Sequence, residues 1–428
     1  MNNAYLELLK RRPQFRLLWL AQVVSLTGDW FNTIALIILV NRFTDSGLAI
    51  SLLFLARGLP PFLFGPIVGV VADRFDRRLV LVASDIAQTI TALGFLLISS
   101  SGELWLLYVL TTLQATLASF FEPARAAILP GLVDRGQELL LANTLSSATW
   151  SVMLAFGAAV GGVATAVFGV RIALVINAMT FAASAALLSR IRPARIPPPT
   201  DSGKQSGWLD FLDGVRYILQ RPRVGVFASV KGLSQVGSVD TLFSLYAASV
   251  FVVGNEGAIT LGVLFMSFGL GAIIGPVLGN MAGDGSDRFL RRWIWIGFFL
   301  LAAGWIGFGV APWLFAAALA IMVRGMGSSI NWTYSNVWIQ KKVPDQFLGR
   351  VFALDFSFFT LCYTMAVIAT GVLIDAAQLG PRVVAVIFGG AGMLPFAAWV
   401  VVLRSQASVE PQEGEARTLH EAPVLSGE

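Results

Sequence analysis

The sequence predicts an all-α integral membrane protein: twelve transmembrane helices in two six-helix halves related by a parallel repeat. Three observations carry this expectation. Hydrophobic residues make up 56% of the chain and charged residues 13%, against roughly 25% charged in soluble domains. With a mean hydropathy of +0.74, the chain has too little polar surface to coat a soluble core. Second, a phrase recurs: Gly65-Pro66-Ile67-Val68-Gly69 precedes Asp73-Arg74-Phe75-Asp76-Arg77-Arg78. About 210 residues later, Gly275-Pro276-Val277-Leu278-Gly279 precedes Asp287-Arg288-Phe289-Leu290-Arg291-Arg292. Arg12-Pro13 likewise recurs as Arg221-Pro222, and Gly28 as Gly237. Third, the cations gather in every second loop.

The elements follow from a ruler. A hydrocarbon core of about 30 Å needs roughly 20 residues of helix. Runs that satisfy it lie at 16–40, 47–71, 79–100, 104–124, 138–168 and 170–190. A second set lies at 223–252, 258–281, 293–311, 313–334, 351–374 and 383–403. The fifth run is too long for one simple span and is expected to begin as an interfacial turn. Lys10-Arg11-Arg12 precedes an apolar run long enough to cross, so the first run reads as a permanent helix rather than a leader. Residues 1–190 form the first half and 223–403 the second, joined by a cytoplasmic linker at 191–222 and followed by a polar, disordered tail at 404–428. Within the linker, Arg195-Ile196-Pro197-Pro198-Pro199 is extended. Trp208 to Leu219 reads as an amphipathic helix on the membrane surface, with Trp208, Phe211, Leu212 and Val215 on one face.

Charge placement orients the bundle. Alternate loops hold Arg74, Arg77, Arg78, Arg125, Arg135, Arg288, Arg291, Arg292, Lys341, Lys342 and Arg350, and the linker adds further cations. The opposite loops hold Arg42, Arg171 and Arg382. The positive-inside rule then puts both termini in the cytoplasm of a multi-pass cell (inner) membrane protein. The net charge of +5 is topological, so nucleic acid is not an expected partner. One cysteine, Cys362, and one histidine, His420, exclude an intramolecular disulfide and a Cys/His zinc site. No metal or cofactor is expected, and no phosphate-binding Gly-x-x-x-x-Gly-Lys-Ser/Thr loop points to an ATPase. A repeat of membrane helices is the plan of a transporter, its site where the halves meet.

Gly69-Val70-Val71-Ala72-Asp73-Arg74-Phe75-Asp76-Arg77-Arg78 resembles the loop motif of the major facilitator superfamily at every specified position. Leu18-Trp19-Leu20-Ala21-Gln22, Gly28-Asp29, Glu122-Pro123-Ala124, Ala142-Asn143, Val343-Pro344-Asp345 and Gly349-Arg350-Val351 look like the bacterial enterobactin and macrolide exporter branch. That resemblance covers the chain apart from its tail. It implies a secondary transporter, working without an obligatory protein partner, and a latch at the cytoplasmic helix ends formed by Gly69, Asp73, Arg74, Arg77, Arg78, Glu122 and Asp355. Two departures stand out. The exporter motif of the fifth helix reads Gly157-Ala158-Ala159-Val160-Gly161-Gly162, without its proline, so its bend is less assured. Gln114 stands where many proton antiporters carry an arginine.

Charges within spans cost at least a few kcal/mol and persist where a cavity, a partner or a proton uses them. Asp29 sits mid-helix in the first span, and Asp240, its near repeat counterpart, mid-helix in the seventh. They are the candidate protonation sites, with Arg57, Lys231 and Arg324 as counter-ions. Trp30, Phe31, Trp150, Phe243, Tyr246, Trp332, Tyr334 and Tyr363, with Asn32 and Asn331, are candidates to face a substrate. Aromatic faces suit planar, amphiphilic or cationic ligands. The expected function is export of an amphiphilic small molecule of drug or siderophore type by proton antiport. The alternatives are an uptake, facilitative or lipid-flipping carrier and, remotely, a membrane-embedded enzyme.

Overall fold

The computed structural model describes residues 2–134, 137–192, 207–281 and 286–407. Its regular elements there are helices throughout. They run α1 (Asn2–Arg11), α2 (Pro13–Phe43), α3 (Gly47–Arg74), α4 (Arg77–Gly94), α5 (Leu104–Ile128), α6 (Gln137–Val152), α7 (Ala158–Phe168) and α8 (Val170–Leu188). Then come α9 (Gly207–Gln220) in the linker, α10 (Pro222–Ala228), α11 (Val230–Leu233), α12 (Val239–Leu245), α13 (Ala258–Met281), α14 (Asp287–Val310), α15 (Leu314–Lys342), α16 (Asp345–Asp375) and α17 (Pro381–Ala407). Nine helical stretches among the described residues are long and apolar enough to cross a membrane, and shorter apolar helices lie at Gly47–Pro61, Met153–Phe168 and Val239–Val250.

The bundle is built outside-in. On α4 the buried face carries Ser84, Asp85, Gln88 and Thr91, while Ile86, Ile90 and Leu93 stand exposed. In water that arrangement is unfavourable; in hydrocarbon the apolar face is solvated and the polar face must find partners within the bundle. Helix starts follow local chemistry. Pro13 opens α2, where its missing N–H is no loss. Asp76 caps α4 through the N–H groups of Arg78 and Leu79 at 2.8 and 3.3 Å. In the repeated phrase, Ser286 caps α14 through Phe289 N–H at 3.2 Å.

The helices pack as two groups. In the first, α2 lies on α8, α3 on α5, and α4 on both α5 and α8; in the second, α14 lies between α15 and α17 and α13 lies on α15. The groups meet along two seams, α7 with α13 and α3 with α16. Their cores report how they meet. Far from the termini, one core runs through both groups, from Ile34, Ile37 and Phe54 to Phe243, Leu261 and Phe308. At the end where the termini emerge there are two separate cores. Phe15, Leu18, Leu81 and Leu129 build one, and Phe227, Ile294, Tyr334 and Trp338 build the other.

Three elements depart from the sequence expectation. The fifth run opens as helix from Gln137 rather than as a turn, and a π-helix at Met153–Gly157 interrupts it before α7. A π-segment inserts a residue into the helical register, which supplies a mid-helix irregularity without the missing proline. The seventh run is broken. Ser234 to Ser238 separate α11 from α12, with Gly237 at φ +81°, a left-handed value that favours glycine. Its counterpart Gly28 lies inside the unbroken α2. The linker helix extends over Gly207–Gln220, but its described C-terminal turns pack on protein rather than lying free on a surface. Tyr217 is buried and stacks on Phe347 with centroids 4.3 Å apart.

Candidate functional site

Between the two groups lies a cavity of three adjoining compartments, all bordered by Asp29. The central one, about 470 Å³, takes walls from both groups: Trp30, Arg57 and Trp150 on one side, Asp240, Phe265 and Tyr363 on the other. A side compartment of about 410 Å³ enters the first group between Asn32, Gln88, Thr111 and Gln114. The largest, about 960 Å³, extends toward the termini past Gln22, Arg125, Ser146 and Trp332.

The break in the seventh run sets Asp240. It is not mid-helix as expected but in the first turn of α12, which Ser238 caps. There its carboxylate accepts a hydrogen bond from the Tyr363 hydroxyl at 3.1 Å and lies within electrostatic reach of Arg57 and Arg324. Arg57 donates to the Thr33 hydroxyl, which in turn donates to the Asp29 carbonyl oxygen at 2.6 Å. Arg324 is 2% exposed; its guanidinium lies 4.4 Å from the Trp305 ring centroid and 5.7 Å from that of Phe268. Stacking of this kind offsets part of the cost of a buried cation. Lys231 does not serve the central carboxylates. It is 5% exposed and forms a buried ion pair with Asp355, beneath the Trp332 ring at 4.6 Å.

The aromatic candidates divide. Trp30, Trp150, Trp332 and Tyr363 face the cavity, as does Asn32, which donates to Gln114 at 2.8 Å. Phe31 and Phe243 are instead packed in the shared core. Tyr246 stacks on Phe308 at 3.8 Å and donates to its carbonyl oxygen at 3.1 Å. Tyr334 packs against Phe289 and Trp293, and Asn331, fully buried, donates to Ser234 at 3.0 Å. A helical wheel cannot separate the two sets, because packed core and cavity wall lie side by side on the same helices.

Of the latch residues, the side chains of Gly69, Asp73, Arg74 and Glu122 lie outside the described residues. Arg78 donates to the Ser189 carbonyl oxygen, tying α4 to α8 within one group. Asp355 pairs with Lys231 within the other. Among the described residues, one set of bonds between the groups lies at the opposite end, and sequence reasoning missed it. Asp375, at the end of α16, accepts from Ser46 Oγ at 2.6 Å, Gly47 N–H at 2.8 Å and Leu48 N–H at 3.0 Å. It therefore caps α3 from across the seam. Arg42 forms a two-pronged pair with Glu256, both contacts 2.9 Å, and Ser51 donates to the Val367 carbonyl oxygen at 2.8 Å. The only sequence signal was that these charges sit at apolar-run ends, and such charges usually face solvent.

A two-group bundle around a shared cavity, sealed at one end, is the geometry of an alternating-access carrier, and comparison with known proteins agrees. Residues 9–426 match the family model described as transmembrane secretion effector. The enterobactin exporter of Shigella boydii serotype 18 is 28% identical over 81% of this chain and 82% of its own length. Macrolide efflux protein A of Streptococcus pyogenes is 24% identical over 85% of this chain and 89% of its own. In fold, the chain is similar to the crystal structure of the nucleoside transporter NupG, with a TM-score of 0.68 at 14% identity over 91% of this chain and 98% of that one. The chain belongs to the transmembrane secretion effector family of the major facilitator superfamily, a family of membrane transporters.

Proposed function

We propose that this protein exports an amphiphilic small molecule from the cytoplasm across the inner membrane, driven by protons moving inward. The observation that carries the reading is the cavity walled by both groups of helices, widest toward the termini and sealed at the other end. Cation-rich loops assign the cytoplasm to the wide end, so the conformation is one that loads from inside. Rocking of one six-helix half, residues 1–190, against the other, residues 223–403, would then open the far end. Kinship with exporters of enterobactin and a macrolide supports small-molecule export. The wall chemistry fits such a substrate: rings of Trp30, Trp150, Phe265 and Tyr363 beside the carboxylates of Asp29 and Asp240. Carboxylates that see the cavity can trade a proton for a cationic or polar substrate group.

The test uses the full chain in sealed vesicles with an imposed proton gradient, and a panel of amphiphilic cations and siderophores as probes. Gradient-driven flux is expected in the native protein, falling to the undriven rate in Asp29→Asn. Flux indifferent to both gradient and substitution would identify a facilitator and return Asp29 to a structural role.

A further inference from the structure

Among the described residues of the first group, one deeply buried carboxylate has no part in any of this. Asp85 lies on the inward face of α4 and is 0% exposed. It faces Ser184 of α8, also 0% exposed, yet neither carboxylate oxygen nor the Ser184 hydroxyl closes a hydrogen bond. The charged group within its electrostatic reach is Asp29, of the same sign.

Among the described residues, this setting differs from those of Lys231, Asp240 and Arg324. Lys231 has Asp355, Asp240 has Tyr363 and two arginines in reach, and Arg324 has aromatic faces. An ionised carboxylate with no cation in reach and only the Ser184 hydroxyl beside it would carry a desolvation cost of several kcal/mol that little offsets. Such a group takes up a proton instead. Its surroundings also offer a way out. Gln88, one turn along the same face of α4, lines both the side compartment and the large one. The Gln88 amide donates to Ser84 Oγ at 3.3 Å, and Ser84 donates to the Leu117 carbonyl oxygen at 2.8 Å. An amide side chain one turn from Asp85 thus borders the cavity.

We propose that Asp85 is a second proton-binding site: neutral in this conformation, it exchanges its proton with cavity water past Gln88. The step moves one proton and no other group. The Asp85 carboxylic acid gives H⁺ to water and becomes a carboxylate that the Ser184 hydroxyl can turn to meet; reloading is the reverse. Because α4 lies wholly inside one group, the side of the membrane that Asp85 serves is whichever side the cavity faces. The like charge of Asp29 makes simultaneous ionisation of both unfavourable, so loading at one site is felt at the other. The proposal leans on proton antiport for its purpose but not for its existence.

The experiment is infrared difference spectroscopy between acid and alkaline pH on the full chain in vesicles, comparing native protein with Asp85→Asn, Asp29→Asn and Ser184→Ala. Asp85→Asn has the shape of the neutral acid, so it is expected to unfold at the native temperature. A protonated-carboxyl C=O band that disappears at alkaline pH is expected in native protein. Its Asp85 component should be missing from Asp85→Asn, kept in Asp29→Asn, and displaced in frequency in Ser184→Ala. Identical spectra for native protein and Asp85→Asn would overturn the proposal, as would a band that does not respond to pH. Flux in the same vesicles separates the two readings. Transport that ignores the gradient alongside a titrating Asp85 band would remove proton antiport and leave the site standing.

Discussion

Lys231 and Asp355 show what a buried charge does when it is fully matched. Both are nearly inaccessible, at 5% and 1% exposure, and the ammonium also lies against Trp332 at the cavity wall. Removing one partner strands the other, which typically costs about 3–5 kcal/mol, whereas replacing both with apolar residues of similar size is often neutral. We therefore expect Lys231→Met to lower the unfolding temperature of detergent-purified protein sharply. The double substitution Lys231→Met with Asp355→Leu should restore most of it. If the double variant instead stays folded but transports nothing, the pair has a role in the cycle beyond packing. At this scale the sequence was informative about depth and silent about partners. Lys231, Arg324, Asp29 and Asp240 stand out because they interrupt apolar runs. Which of them meet is settled by helix rotation and by the break at Gly237, neither of which a single sequence displays. Asp85 likewise interrupts the run 79–100, and only the packing of α4 on α8 shows that it is enclosed.

Elements in this chain are shaped by small residues at seams. A Cβ placed on Gly162 would lie 2.6 Å from the Ala258 carbonyl oxygen and 2.9 Å from Gly262 Cα. On the facing helix, a Cβ on Gly262 would lie 3.0 Å from the Ala158 carbonyl oxygen. The backbones of α7 and α13 approach this closely only because neither carries a side chain there. Gly162→Val is expected to cost about 1–3 kcal/mol by overpacking. The penalty falls on the state with the seam closed, so paired spin labels across the distal end should report a longer distance than in native protein. An unchanged distance would mean that the seam adjusts elsewhere. The glycine-rich phrase around Gly161 was legible in the sequence as a packing motif. The π-helix at Met153–Gly157 was not, because no proline or side-chain cap announces it.

For the molecule as a whole, the balance between cavity openings rests on how firmly the distal end is held. The shared core there is apolar, and Asp375 adds three hydrogen bonds across it. Arg42 and Glu256 add a pair whose side chains are 44% and 36% exposed, an exposure at which ion pairs contribute little, about 0.2–1 kcal/mol. Asp375 is thus the stronger closure. Asp375→Ala is expected to weaken the closed state by about 1–2 kcal/mol, the loss of a helix cap, shifting the equilibrium roughly 5–30-fold toward opening. Labels across the distal end should register that shift, while Arg42→Ala should move it less. Equal effects would mean that the exposed pair is stronger than its setting allows.

The sequence by itself determined that this chain is a helical membrane protein of the major facilitator type, since hydropathy, the duplicated loop phrase and the bias of cations are properties of local composition and order. It also placed Asp29, Trp30, Arg57, Trp150 and Asp240 where a cavity was to be expected. Only the tertiary structure decided which aromatic residues pack and which face the cavity, that Lys231 belongs to Asp355, that Asp375 caps a helix of the other group, and that Asp85 is enclosed without a partner. Those outcomes depend on the rotation and mutual contact of helices far apart in the chain. Hydropathy reports how deep a residue lies, but the partner that a buried charge finds depends on which neighbouring helix faces it.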